Sequence, residues 1–316
     1  TINMRKGLKW SDGHPFTTED IMFWYNDIIQ NKDLYPLIPH YFTSDGEIME
    51  ARVLGDYKIQ FKFNKPQPYF LKAPLIRANQ AYKIFSPKHY LKQFHPKYTP
   101  ESELQEKVEA GGFDHWYELF QDRNQSYNEV MSVPGAPTLG PWVTVKFNSS
   151  RHVFERNPYF WKVDSEGNQL PYIDRVETQV VTNPEVAQGK LVSGEVDFNG
   201  FLTKLNNYPM YRQYEEQGGY KTILWTSGLS TETAYIFNLT SQDSVLRDIF
   251  QDVRFRRAMS LAIDREEINN SLYFGKGKPI QHTVIKTSKF YKPEYADSYV
   301  EFDPERAKTL LDEMGL

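Results

Sequence analysis

Residues 139–198 decide the fold class: LGPWVTVKFNSSRHVFERNPYFWKVDSEGNQLPYIDRVETQVVTNPEVAQGKLVSGEVDF. Val143, Val145 and Phe147 alternate with polar partners, and after a polar turn at 148–150 the pattern resumes from Val153 to Arg156. Val176, Thr178 and Val180 alternate again. A period of two places one face of a strand on a core and the other in water. Asn183 followed by Pro184 is the start of a helix: a side chain that accepts from free amides, then a residue that has no amide to satisfy. Gly194 supplies the stop, and Val196-Asp197-Phe198 returns to strand. Three strands, a helix and a strand make an α/β arrangement.

Toward the amino terminus, residues 1–5 alternate like a strand already under way. Lys9 to Pro15 is a turn punctuated by Asp12-Gly13 and Pro15. Thr17 then caps a helix with Asp20 as the capping-box partner, and Ile21, Trp24, Tyr25 and Ile28 form one apolar stripe. Tyr57, Ile59, Phe61 and Phe63 alternate as a strand after Gly55-Asp56. Between 64 and 140, prolines break any long element, leaving short helices near 87–93, 101–110 and 113–122.

Toward the carboxyl terminus, Tyr235, Phe237 and Leu239 alternate as a strand. Asp252 caps a helix carrying Ala258 and Leu261, and residues 264–267 form a second capping box. Gly275 and Gly277 end that helix. Asp303-Pro304 opens a last one, with Ala307, Leu310, Leu311 and Met314 on a stripe and Gly315 as its stop.

The chain has 316 residues, enough for two domains. Apolar residues are 40% and charged residues 25%, an ordinary globular balance. No apolar run approaches the ~20 residues of a membrane-spanning helix. A net charge of −4 gives no reason to expect a grip on nucleic acid. The absence of cysteine removes disulfides, thiolate metal sites and cysteine nucleophiles. Aromatic residues reach 15%, which fits a ring-rich core or a ring-lined cleft. Thr1 in place of Met, and a final helix with no closing strand, read as an excised portion of a longer protein.

No catalytic constellation emerges. His89 and His95 lack a carboxylate at ligand spacing, so neither metal nor cofactor is expected. There is no nucleophile elbow, Walker loop or dinucleotide fingerprint. Glu215 and Glu216 read as a solvated helix face, although a glycosidase pair needs only to meet in space. Arg254, Arg256 and Arg257 read as a solvated face with structural pairs, or as a phosphate grip.

Five stretches, in order, resemble the extracytoplasmic solute-binding proteins of peptide- and nickel-type ABC importers (solute-binding family 5). They are Arg5 to Thr17 with Asp20; Gly140-Pro141-Trp142 with Phe154 to Trp161; Leu191 to Asp197; Phe237-Asn238 with Asp252 to Arg265; and Phe302 to Lys308 running on through Leu310-Leu311 to Gly315. The resemblance implies an α/β, periplasmic-binding-protein-like fold of the large type II group: two lobes with an extra subdomain, here incomplete at both ends. It places residues 1–234 in the first lobe, with the extra α/β subdomain at 12–135 and a mixed-sheet core at 136–234. Residues 235–316 become the hinge crossing and the opening helices of the second lobe.

That likeness also implies a non-catalytic binding component outside the cytoplasmic membrane, periplasmic or lipid-anchored. It would be a monomer when full length, handing oligopeptides to a membrane permease. Oligosaccharide is the rival ligand, a secreted glycoside or peptide hydrolase the rival class, and a receptor-docking peptide sensor a third reading. By position, Thr233, Ala234 and Tyr235 face the ligand, with Thr231 and Asn238 as further candidates. Tyr235 reads equally as a buried hinge-strand ring.

Overall fold

The computed structural model describes residues 1–70, 84–125, 132–200, 203–225 and 233–316. These divide into two compact units, Thr1–Thr182 and Asn183–Leu316.

The first unit is built on a three-stranded antiparallel sheet in which β5 (Lys58–Lys62) lies between β1 (Ile2–Asn3) and β4 (Glu50–Gly55). A two-stranded ribbon, β2 (Thr43–Ser44) with β3 (Glu47–Ile48), lies between β1 and β4 in the chain. Helix α1 (Thr18–Phe23) forms as its cap dictates: Thr17 accepts from the Glu19 amide while Asp20 accepts from Thr17. The same rod continues as a π turn over Trp24–Ile28. Its stripe is the core, with Ile21, Trp24 and Ile28 buried and the Tyr25 hydroxyl reaching out to donate to the Met49 carbonyl at 2.7 Å.

Three short helices follow: α2 (Lys88–Leu91), α3 (Glu101–Gly111) and α4 (Trp116–Arg123). All lie near their expected places, and Gly112 stops α3 at a φ of +73°. Trp10, Phe16, Phe23, Trp24 and Phe120 join one hydrophobic cluster with Ile59 of β5 and Leu91 of α2. Much of the aromatic surplus is therefore core.

The second sheet of this unit is β6 (Trp142–Phe147), β7 (Arg151–Arg156) and β8 (Arg175–Gln179), antiparallel in chain order. It meets the first motif through a specific seam. Asn157, buried, donates through Nδ2 to the Gly140 carbonyl at 2.8 Å, and its Oδ1 accepts from the Tyr159 amide at 2.8 Å. Tyr159 then lies against Gly13, where a Cβ would sit 3.1 Å from its hydroxyl oxygen. Gly13 also has a φ of +88°, so turn geometry and ring contact both demand glycine there.

The second unit is helical in its ordered elements: α5 (Pro184–Val192), α6 (Tyr208–Gln213), α7 (Glu215–Gly218), α8 (Ser244–Gln251), α9 (Val253–Leu261), α10 (Arg265–Tyr273), α11 (Pro293–Ala296) and α12 (Pro304–Asp312). Asn183 caps α5 through the Glu185 and Val186 amides, as its sequence implies. Ala258 and Leu261 of α9 pack on Ala307 of α12, and the Asp303 amide donates to the Leu261 carbonyl at 2.9 Å. Arg254 reaches the Glu313 carbonyl at 3.0 Å. The fourth and fifth motifs are thus the two halves of one helix pair.

Two expectations fail. Residues 196–198 and 235–239 are not strands. Alternation marks which side chains share a face, but a strand exists only where another strand satisfies its amides and carbonyls. Among the described residues neither segment has such a neighbour. The second capping box is also reduced: Asp264 caps α10 through the Glu267 amide.

Gly194 carries a testable constraint. Its φ is +77°, and a Cβ there would lie 2.2 Å from the Gly218 carbonyl oxygen. A left-handed alanine costs about 1–2 kcal/mol before any clash. Gly194→Ala should therefore lower the stability of the α5–α7 contact by at least about 2 kcal/mol. Urea titration followed by far-UV circular dichroism would read it, and an unchanged midpoint would contradict it.

Candidate ligand-contact segment

Residues 233–238 run without helix or strand into the start of α8. Phe237 anchors them. Its ring lies 5.4 Å from Phe250 of α8 and 5.3 Å from Phe255 of α9, with those two 5.7 Å apart. This three-ring cluster fixes the segment by apolar contact, with Phe237 edge-to-face on Phe255. Gln251 adds a hydrogen bond from Nε2 to the Leu239 carbonyl at 2.8 Å, and Arg247 donates to the Ser241 carbonyl at 2.8 Å.

With Phe237 turned into the unit, its neighbours turn out. Tyr235 is 71% exposed and Ile236 88%. The buried-ring reading of Tyr235 does not hold within this chain. Ala234 is exposed beside it. Among the described residues, no backbone group pairs with the amides or carbonyls of Ala234, Tyr235 or Ile236. Chemically this is a short exposed segment with one amphipathic ring, whose main-chain groups pair with no backbone group among the described residues; it could pair with an extended chain or stack on a flat apolar face.

The other expected residues are tied back. Thr233 Oγ1 lies 3.1 Å from the Tyr273 hydroxyl of α10. Asn238 Oδ1 accepts from both the amide and the hydroxyl of Thr240 at 3.1 Å, a local turn that occupies it. Thr231 lies outside the described residues. The structure therefore groups Thr233, Ala234, Tyr235 and Asn238 on one exposed segment, with the side chains of Thr233 and Asn238 engaged by Tyr273 and Thr240.

Other candidates resolve into structure. Arg254 pairs with Asp252 at 2.7 Å, and that hydrogen bond holds the Asp252 carboxyl below the usual range. Arg256 donates to the Phe250 and Gln251 carbonyls, and Arg257 lies 4.8 Å above the Tyr299 ring. The arginine run is spent on its own unit. Glu215 accepts from Arg212 and from the Thr222 amide. His89 meets Asp12 at 2.7 Å and stacks on His14, whereas His95 is buried near Asp27.

Sequence reading passed over Phe198 (72% exposed), Ile223 (64%) and Trp225 (74%), which belong to the same unit. The available signal was three successive large apolar residues at 223–225 with no polar alternation.

Comparison with known proteins gives the context. A family model described as "Bacterial extracellular solute-binding proteins, family 5 Middle" matches residues 1–316. A solved structure named "oligopeptide-binding protein OppA" is 41% identical with a TM-score of 0.75, covering 99% of this chain and 49% of that one. The periplasmic alpha-galactoside-binding protein of Rhizobium meliloti is 26% identical over 326 residues, 100% of this chain and 43% of that protein. The periplasmic binding protein MelB of Agrobacterium fabrum, solved with stachyose, is 26% identical with a TM-score of 0.60, covering 99% of this chain and 45% of that one. The chain spans about half the length of the curated relatives it matches. The α/β, periplasmic-binding-protein-like fold expected from the five motifs is the fold of these neighbours.

Proposed function

The chain belongs to the bacterial extracellular solute-binding proteins of family 5, and from that premise we propose that it is the middle part of the substrate-capturing component of an ABC importer, taking up oligopeptides. The family match along the whole chain carries this reading, and the 41% identity to a structure named for oligopeptide binding supports a peptide ligand. In this proposal residues 1–234 serve as the first lobe and 235–316 as the crossing and start of a second. The full-length protein is a monomeric, extracytoplasmic binder that hands its ligand to a membrane permease. It performs no catalysis.

The exposed segment at 234–236 supports a peptide ligand, because main-chain groups that pair with no backbone group among the described residues suit an extended chain. Ligand that touches both lobes binds the closed state better, and only that difference shifts the open–closed equilibrium. Oligosaccharide is a second reading. It is favoured by the similarity to an alpha-galactoside-binding protein and to a stachyose complex, and by the exposed rings of Tyr235 and Trp225.

Mass spectrometry of the small molecules released by the gently purified full-length protein separates the two. Short peptides would support the first reading and oligosaccharides the second. Turnover of added peptide or sugar would reject both. Tyr235→Ala should weaken ligand binding about tenfold, about 1.4 kcal/mol, by calorimetry. Because the side chain is exposed, stability should move by less than about 0.5 kcal/mol. Unchanged affinity would remove Tyr235 from the site.

A further inference from the structure

His95 is buried, at 4% exposure, in the turn between α2 and α3. Both ring nitrogens face backbone groups of fixed polarity. Nε2 lies 3.1 Å from the Asp27 carbonyl at the end of the π turn, and a carbonyl only accepts. Nδ1 lies 3.2 Å from the Lys97 amide, which only donates. The pair defines one neutral tautomer, with the proton on Nε2. The ring is walled by Phe23 of α1 and by Trp116 and Phe120 of α4, at centroid distances of 6.2, 5.1 and 5.7 Å.

The nearest counter-charge is already engaged. The Asp27 carboxylate, on a residue only 7% exposed, takes the Lys97 ammonium on Oδ1 at 2.5 Å and the Tyr98 hydroxyl on Oδ2 at 2.5 Å. Asp27, Lys97 and Tyr98 are the titratable groups that face His95, and α1 and α4 present it with rings. The turn also closes on His95 itself, whose carbonyl accepts from the Tyr98 and Thr99 amides.

We propose that His95 is an acid-released latch, holding the 95–99 turn, and with it the entry to α3, against the π turn at Asp27 while its ring is neutral. A proton on Nδ1 sets two donors against each other across the Lys97 amide. It also buries a charge whose natural partner is occupied. The ring must leave, and the Lys97 and Tyr98 contacts to Asp27 loosen with it.

Burial holds the His95 pKa below its ordinary 6.5, with the Asp27 backbone contact opposing. The sign follows. Below about 6.5 the unfolded or opened turn takes a proton that the closed one refuses. The latch is complete above that pH and weakens as pH falls. Members of an extracellular family experience the pH of their surroundings, so such a latch would respond to external acid.

Amide hydrogen exchange on the full chain at pH 7.5 and 5.5, corrected for intrinsic rates, tests this. Peptides covering 95–104 and 24–30 should lose protection as pH falls below the histidine's ordinary pKa, by at most about tenfold per pH unit. Peptides of β4 and β5 should not. His95→Gln keeps one donor and one acceptor but does not titrate, so the acid-induced loss should vanish. Equal protection at both pH values in the wild type, or acid loss persisting in H95Q, would overturn the proposal. If H95Q does not fold, imidazole and amide NMR of the wild type decides. A His95 titration shared by the Lys97 amide supports the latch, and a Lys97 amide indifferent to it refutes the latch.

Discussion

Residues 183–316 produced alone should show no cooperative unfolding transition, whereas residues 1–182 alone should show one. The difference lies in what each unit buries. The first contains Trp10, Phe16, Phe23, Trp24, Met49, Ile59 and Phe120 in one cluster, all at or below 4% exposure. In the second, the buried apolar residues among those described are Tyr211, Ala258, Leu261, Ala296 and Ala307. Three of these five are alanines. A fully buried large apolar side chain contributes about 1.5–3 kcal/mol, and an alanine far less. Ordering each residue costs about 1–2 kcal/mol of backbone entropy, so a 134-residue unit with so little burial has no way to offset it. Its large apolar side chains are instead in water: Trp225, Tyr235, Ile236, Val245 and Leu272 are each more than half exposed. Dye binding to exposed apolar surface should accordingly be strong for 183–316 and weak for 1–182. Calorimetry of the two pieces reads the main effect. A sharp endotherm from 183–316 would show that the few contacts of α9 and α12 suffice.

What the sequence made legible divides along the same physical line. The caps at Thr17, Asn183, Asp252 and Asp303 were readable because a cap is a bond between a side chain and an amide two or three residues away. The strands at 142–147, 151–156 and 175–179 were readable because they are joined in chain order and find their partners nearby. The segments at 196–198 and 235–239 show the same alternation and form nothing, because pairing is not a property of one segment. The π turn at Trp24–Ile28 was hidden for a related reason: a stripe at i, i+3, i+4 and i+7 does not distinguish one extra residue in a turn. At the proposed ligand segment, sequence marked the residues but not their orientation. That is set by Phe237, whose partners Phe250 and Phe255 lie on two helices downstream. The latch at His95 depends on Asp27, far away in the chain, and no spacing rule reaches it.

Asp20→Ala should cost about 3–5 kcal/mol, a large part of a typical domain's stability. The capping-box role alone would predict about 1 kcal/mol. Asp20, however, is 3% exposed and does more than cap. Its Oδ2 accepts from the Thr17 amide at 3.1 Å and from Trp10 Nε1 at 3.4 Å, and its Oδ1 accepts from the Lys88 amide at 3.0 Å. One carboxylate thus satisfies the start of α1, the buried indole of the Trp10 turn and the first residue of α2. Alanine leaves three donors without an acceptor, each costing about 1–3 kcal/mol where water cannot reach. Burial pushes the Asp20 carboxyl above its usual pKa, and the three donors pull it back. The carboxylate is therefore tolerated only because of them. Asp20→Asn removes the buried charge and keeps one oxygen, so its cost should be smaller, about 1–2 kcal/mol. The ordering Ala worse than Asn distinguishes a hub of hydrogen bonds from a site that needs charge. Tryptophan fluorescence during urea unfolding would report both variants through the buried Trp10 and Trp24. An Asp20→Ala midpoint shifted no further than an ordinary cap deletion would mean that Lys88 and Trp10 find water once the carboxylate is gone.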